Sequence, residues 1–415
     1  MTESGVETGD PSPPSRGTRG RAEEGAGPPA ELGALERELG RVDGGRPGPV
    51  VLITAGLHGN EPAGVRAARE VLGELAGAGC AGRVLALAGN LRALRDGKRH
   101  GGRDLNRLWK DEVLAEILAG DPSADGPDEA ELREVHGIIE RERAAARAAG
   151  QRLVLLDLHS TSAGGGPFIV VPDAVRSRRL ARAVGLPVVL GLEQRIDGPL
   201  LTWLVTGGDS GIVIEGGQHT DPRTAEVLAD ALRVALRALG VAPEGWAPAG
   251  GARARIEGVR GDVPPVLDMV HAHPIEPGDG FVMEPGWSNF RRVTAGQTLA
   301  LQRGEVVQAP LKGYMLMPLY QGLGTEGFFL CKPVGRPWLA ASRVARALGL
   351  RRLLPLLPGL RSGRPGADEV FQRADAPGWT RAWLTLLGYR TSSPVEGGVR
   401  WTRSRSRSRS KPRSR

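Results

Sequence analysis

Residues 50–64, VVLITAGLHGNEPAG, decide the fold. Their first five residues form a continuous apolar, β-branched run, and the Ala-rich stretch 62–78 that follows has helical character. Comparable runs recur at 84–87, 153–156, 168–171 and 212–214, with further helical stretches at 128–149 and 224–239. Continuous apolar strands alternating with helices imply a sheet covered on both faces. The fold class is therefore α/β over residues 31–243, with a mostly parallel or mixed sheet and flanking helices.

Outward from this core the texture changes. At 415 residues the chain has room for two to three domains. Short strands punctuated by Gly and Pro over 244–333 read as a small all-β domain. Residues 334–400 read as a helical C-terminal extension, in which 337–360 form a basic amphipathic helix ended by Pro355 and Pro358. Docking on the body is expected of it ahead of membrane-surface binding. Residues 1–30 are too poor in apolar side chains to repay ordering and are expected to be a disordered leader.

The formal charge of +8 first points to polyanionic partners. Residues 401–415, WTRSRSRSRSKPRSR, hold seven basic residues and no acid, and subtracting those seven leaves +1 on residues 1–400. The excess thus lies in an Arg/Ser tail expected to be disordered and capable of weak nucleic-acid contact. No apolar run reaches the ~18 residues of a membrane span, and the first thirty residues lack an apolar signal core. Cys80 and Cys331 stand far apart without metal-type spacing, which fits a reducing cytosol and a cytoplasmic location.

Chemistry concentrates at the carboxyl ends of the strands, where open α/β sheets bind ligands. His58 and Glu61 sit three residues apart in the turn after strand 50–54, an imidazole and carboxylate pair suited to a zinc-like ion. Strand 153–156 runs into Asp157-Leu158-His159, which completes a His₂Glu set with a coordination position left for water. Asp157 lies on the same strand face as His159 and can orient it. Strand 212–214 ends in Glu215-Gly216-Gly217, a carboxylate placed for proton transfer beside glycines that leave space for substrate. The loop 98–109, KRHGGRDLNRLW, gathers Arg99, Arg103, Arg107 and Asn106, forks and an amide suited to an anionic substrate and an oxyanion. His271-Ala272-His273 reads as structural ahead of a metal pair, and His219, four residues beyond Glu215, as a loop residue ahead of one that touches substrate.

GLHGNEPAG, RDLNRLW, LDLHSTS and VIEGG, in this order and spacing, resemble the succinylglutamate desuccinylase/aspartoacylase family of zinc carboxypeptidase-like metallohydrolases. The likeness extends over about residues 48–333, because GDGFVMEPGWSNF and APLKGYMLMPLYQ resemble the C-terminal β domain of bacterial members. It implies one zinc ion per subunit on His58, Glu61 and His159, a catalytic Glu215, and substrate carboxylate recognition by Asn106 and Arg107. Arg99 falls where the family keeps an arginine that polarises the scissile carbonyl, with Arg103 as the alternative. The implied activity is hydrolysis of the amide bond of an N-acyl amino acid. A zinc carboxypeptidase acting on peptides, or an inactive hydrolase fold used for binding, are the other readings. Residues 201–214 contain no arginine, whereas aspartoacylases proper carry one there for the aspartate side chain.

Overall fold

The computed structural model describes residues 32–172, 174–322, 324–363 and 369–402, so the leader expected over 1–30 and the tail beyond Thr402 lie outside the described residues. The chain runs β1 (Glu38–Asp43), β2 (Val50–Ala55), α1 (Ala63–Ala78), β3 (Arg83–Ala88), α2 (Leu91–Asp96), α3 (Asp111–Ala119) and α4 (Pro127–Ala148). It continues through β4 (Leu153–Thr161), β5 (Phe168–Val171), α5 (Val175–Val184), β6 (Val188–Leu190), α6 (Leu200–Thr206), β7 (Ser210–Gln218) and α7 (Arg223–Ala238). Next come α8 (Ala247–Arg260), β8 (Val266–Pro274), β9 (Val282–Met283), β10 (Arg292–Val293), β11 (Thr298–Gln302), β12 (Glu305–Gln308), β13 (Gly313–Leu316) and β14 (Glu326–Pro333). The C-terminal part holds α9 (Arg336–Ala347), β15 (Leu360–Ser362), β16 (Glu369–Arg373), α10 (Gly378–Leu386), β17 (Arg390–Val395) and β18 (Gly398–Thr402).

The fold is the expected α/β class. Its main sheet has eleven strands in the order β1-β3-β2-β4-β7-β5-β6-β8-β14-β13-β10. β3, β2, β4 and β7 run parallel, while β5 is antiparallel to β7. All six residues of β2 and all nine of β4 are buried. Successive side chains point to opposite faces. Accordingly Val51, Ile53 and Leu156 join α1 and α7 in one core, and Leu52, Leu85 and Leu155 join α4 and α6 in another. Each such fully buried aliphatic contributes on the order of 2 kcal/mol of transfer free energy. Two covered faces explain why these strands lack polar alternation.

The region 244–333 is not a detached β domain. β8, β14, β13 and β10 extend the main sheet, and only β12, β11 and β9 form a separate three-stranded sheet. Helix α8 also falls inside this region. Its Gly/Ala-rich sequence hides it, but Ala249, Ala252 and Ile256 are buried, and Ala249 and Ile256 join the first core.

The extension at 334–400 is mixed rather than helical. Gly349 at φ +67° stops α9, a 3₁₀ turn Leu350–Leu356 follows, and strands β15-β16-β18-β17 make an antiparallel sheet. These elements share a small core of Ala345, Leu354, Leu360, Val370, Leu384, Leu387, Tyr389 and Trp401. The expected tail boundary at 401 moves accordingly, because Trp401 is buried and its indole N–H donates to Gln372 Oε1 at 2.9 Å. Ending the chain at Val399 is expected to cost this unit about 3–5 kcal/mol, the usual loss for removing a buried Trp. Ending it after Thr402 is expected to leave the melting transition unchanged. Equal melting of the two truncations would show that Trp401 does not hold the unit together.

Candidate active site

Strand register assembles the site. With β2, β4 and β7 adjacent and parallel, Ala55 pairs with Leu158 and His159 pairs with Glu215, so the three carboxyl ends lie side by side. The turn after β2 depends on glycine. Gly56 sits at φ +67°, where L side chains are strained. A Cβ on Gly59 would stand 2.0 Å from the carbonyl carbon of Ala93. That close approach lets Gly59 N donate to Arg99 O at 3.2 Å, which ties the metal-type turn to the arginine loop.

His58, Glu61 and His159 are buried together, with candidate ligand atoms all within 4.8 Å of one another. Among the described residues this is the one His/Cys/Asp/Glu group able to hold a metal ion. Glu61 Oε1 lies 2.7 Å from His58 Nδ1 and Oε2 lies 3.0 Å from His159 Nδ1, while Ser160 N donates to Oε2 at 2.9 Å. Burial opposes ionisation of Glu61, but the two imidazoles outweigh it and hold its carboxyl well below the usual range. Behind His159, Asp157 Oδ2 lies 3.2 Å from Nε2, and Asp157 Oδ1 accepts the Thr54 hydroxyl at 2.6 Å. Both rings thus turn Nδ1 toward Glu61, while Nε2 of His58 faces Asp104 and Nε2 of His159 faces Asp157.

The loop 98–109 is folded by two carboxylates, Asp128 from a distant helix and Asp104 from the loop itself. Asp128, fully buried, accepts from Gly101 N, Arg103 N and Asn90 Nδ2. Asp104 caps the short 3₁₀ turn Leu105–Arg107 through Asn106 N. It also touches His58 Nε2 at 3.1 Å and accepts from Arg99 Nη2 at 2.9 Å. Burial resists its ionisation, yet His58, Arg99 and Arg107 keep the Asp104 carboxyl far below the usual range. Leu105, Leu108 and Trp109 anchor the loop in the second core. Asn106 and Arg107 face the cavity, with Asn106 Oδ1 spent on Leu200 N at 3.0 Å.

One cavity is lined by His58, Glu61, Arg99, Asn106, Arg107, His159 and Glu215. Arg103 is not among its lining residues. Its side chain is exposed and paired with Glu129 at 2.8 Å, so the structure does not support the substrate or carbonyl role considered for it. The glycines after Glu215 also act differently from expectation. A Cβ on Gly216 would meet Leu228 at 2.4 Å, so this glycine admits α7 rather than substrate. Glu215 itself is 7% exposed, and its Oε2 is buried with no hydrogen-bond partner among the described residues. Burial pushes its carboxyl up to about 8; Glu61 and Asp157 add to the rise, while His159 and Arg99 oppose it.

The remaining wall was not legible in advance. Val170, Leu192, Ile196, Leu201, Val213 and Phe329 give it an apolar side, on which Glu193 and Glu326 also open. Among the described residues the lining holds no Arg or Lys apart from Arg99 and Arg107. Met317, Leu319 and Gln321, between β13 and β14, roof the cavity from the C-terminal half of the sheet. Asn289 secures that roof, donating to Thr161 Oγ1 at 3.2 Å and accepting from Met317 N at 2.7 Å. His219 also lines the cavity, 2.8 Å from Ser160 Oγ. His271 and His273 lie elsewhere, with His273 stacked on Phe328 and bonded to Gln302.

Residues 47–240 match the model of the succinylglutamate desuccinylase/aspartoacylase catalytic domain. The structure is similar to a succinylglutamate desuccinylase/aspartoacylase from Rhodobacter sphaeroides, with 18% identity and a TM-score of 0.54 over 72% of this chain and 88% of that one. It is similar also to the product-bound ectoine utilization protein EutE (DoeB) from Ruegeria pomeroyi, with 18% identity and a TM-score of 0.51 over 71% of this chain and 87% of that one. At these identities the likeness is one of fold. No curated protein matches the chain.

Proposed function

We propose, from the premise that residues 47–240 belong to the succinylglutamate desuccinylase/aspartoacylase family, that the protein is a zinc-dependent hydrolase cleaving the amide bond of an N-acyl amino acid. The observation that carries this reading is the cavity in which a His₂Glu donor set, two arginines, an amide and a buried carboxylate meet. Two imidazoles and one carboxylate are the donors of an open catalytic zinc site. The unpartnered Glu215 Oε2 beside them supplies the polar atom that an incoming water or amine would satisfy.

Zinc held by His58, Glu61 and His159 would supply Lewis acidity, polarising the amide carbonyl and bringing the pKa of water toward ~7. The side chains of the chain do the rest. Glu215 takes a proton from the attacking water and returns it to the departing nitrogen, so amide and water become carboxylic acid and amine. Arg99, oriented by Asp104 and 3.9 Å from Glu61 Oε1, donates to the carbonyl oxygen as negative charge develops there. Asn106 and Arg107 hold the carboxylate of the amino acid and so orient the scissile bond.

The apolar wall with its two glutamates bears on the acyl group. A second carboxylate on the acyl side would approach the like-charged Glu193 and Glu326, and among the described residues no cation beyond Arg99 and Arg107 lines the cavity to offset them. Amine release from a panel of N-acetyl, N-propionyl and N-succinyl amino acids and short peptides tests the reading. The expected result is turnover of N-acyl amino acids, with uncharged acyl groups favoured over succinyl by at least about tenfold in kcat/KM. Faster release of C-terminal residues from the peptides than of any N-acyl product would assign a carboxypeptidase instead.

A further inference from the structure

The C-terminal unit leaves an apolar surface uncovered around its own core. Trp338 and Val344 on α9 and Leu348 just after it are exposed, Leu348 to 69%, while Ala345 joins the core. Leu356 in the following 3₁₀ turn is 78% exposed, and Trp379 and Trp383 stand exposed one turn apart on α10. Isolated exposed apolar residues are ordinary, but this concentration in one small unit is not.

The charge around it is one-sided. Residues 334–363 contain six arginines and no Asp, Glu or Lys. Arg343, Arg351, Arg352 and Arg361 are exposed there. The sequence then ends in residues 401–415, with seven more basic residues and no acid. Tryptophans, aliphatic side chains and interspersed arginines form the composition that settles at the boundary between lipid headgroups and acyl chains. There the apolar groups enter the boundary, Trp rings sit at headgroup level, and Arg forks meet phosphates.

We propose that the exposed apolar and arginine side chains of the C-terminal unit dock the protein peripherally on anionic lipid membranes. No helix among the described residues is long and apolar enough to cross a membrane, so the contact is with the surface alone. Two other occupants fit less well. RNA would use the arginines but gains nothing from exposed Leu348, Val344 and Leu356, because recognition of single strands relies on aromatic stacking and charge. A second copy docked through the same patch would bring six arginines against six across a two-fold axis.

The test is flotation of the full-length protein with phosphatidylcholine vesicles, with and without phosphatidylserine, and of a Leu348→Asp/Leu356→Asp variant. Both substituted positions are exposed, so folding and hydrolysis are expected to be unchanged, as a matching circular dichroism melt verifies. The expected result is flotation of the wild type with phosphatidylserine vesicles only, and at least a tenfold weaker association for the variant. The proposal is overturned if the wild type does not float, or if the variant floats equally well, which would reduce the contact to basic charge alone. It is also overturned if an RNA oligomer displaces the wild type while the variant binds that RNA undiminished. Sedimentation showing a wild-type dimer that the variant breaks to monomers would assign the face to a second copy instead.

Discussion

Glu215→Gln is expected to lower kcat by about 10²–10⁴, the range associated with loss of a positioned proton-transfer group, while the protein retains one equivalent of zinc. The substitution keeps the size and shape of a side chain that is 7% exposed. The amide that replaces it has no proton-accepting carboxylate oxygen with which to serve water or the leaving nitrogen. Stability is not expected to fall, because burial first, and Glu61 and Asp157 after it, disfavour negative charge at this position. Steady-state kinetics with metal analysis of the same sample check both halves of this expectation. A variant within twofold of wild type would remove Glu215 from the reaction.

His58→Ala is expected to abolish both stoichiometric zinc binding and turnover. The change deletes one of three donors and leaves Glu61 Oε1 without its 2.7 Å imidazole partner. It also withdraws a contact from Asp104, on which the orientation of Arg99 depends. The loss should therefore exceed the roughly 10–100-fold penalty typical of removing a residue that only supports a ligand from behind. Isothermal titration with zinc reads the binding half directly. Wild-type affinity in His58→Ala would mean that the ion is held elsewhere.

Much of this centre is legible because each parallel strand is an unbroken apolar run that stops at a residue with chemistry. β4 reads LVLLDLHST and β7 reads SGIVIEGGQ, and adjacency of their ends follows from parallel order. What is not legible depends on partners distant in sequence. Arg99 and Arg103 share one Gly-containing loop, and Asp104, His58 and Glu61 on one side and Glu129 on the other divide them between cavity and solvent. Asp128, Glu193 and Glu326 look like any other acids in the sequence, and their importance comes from burial or from opening on the cavity. The C-terminal strands escaped notice because the apolar residues of 334–400 serve a small core of their own, in which turns and short strands replace a helical period.

The most direct test of the central claim is zinc titration of chelator-stripped protein while amine release from an N-acetyl amino acid is followed. The expected result is no turnover by the stripped protein and linear recovery that ends at one zinc per chain. Undiminished hydrolysis by metal-free protein, or recovery that ignores zinc, would contradict a catalytic metal held by His58, Glu61 and His159.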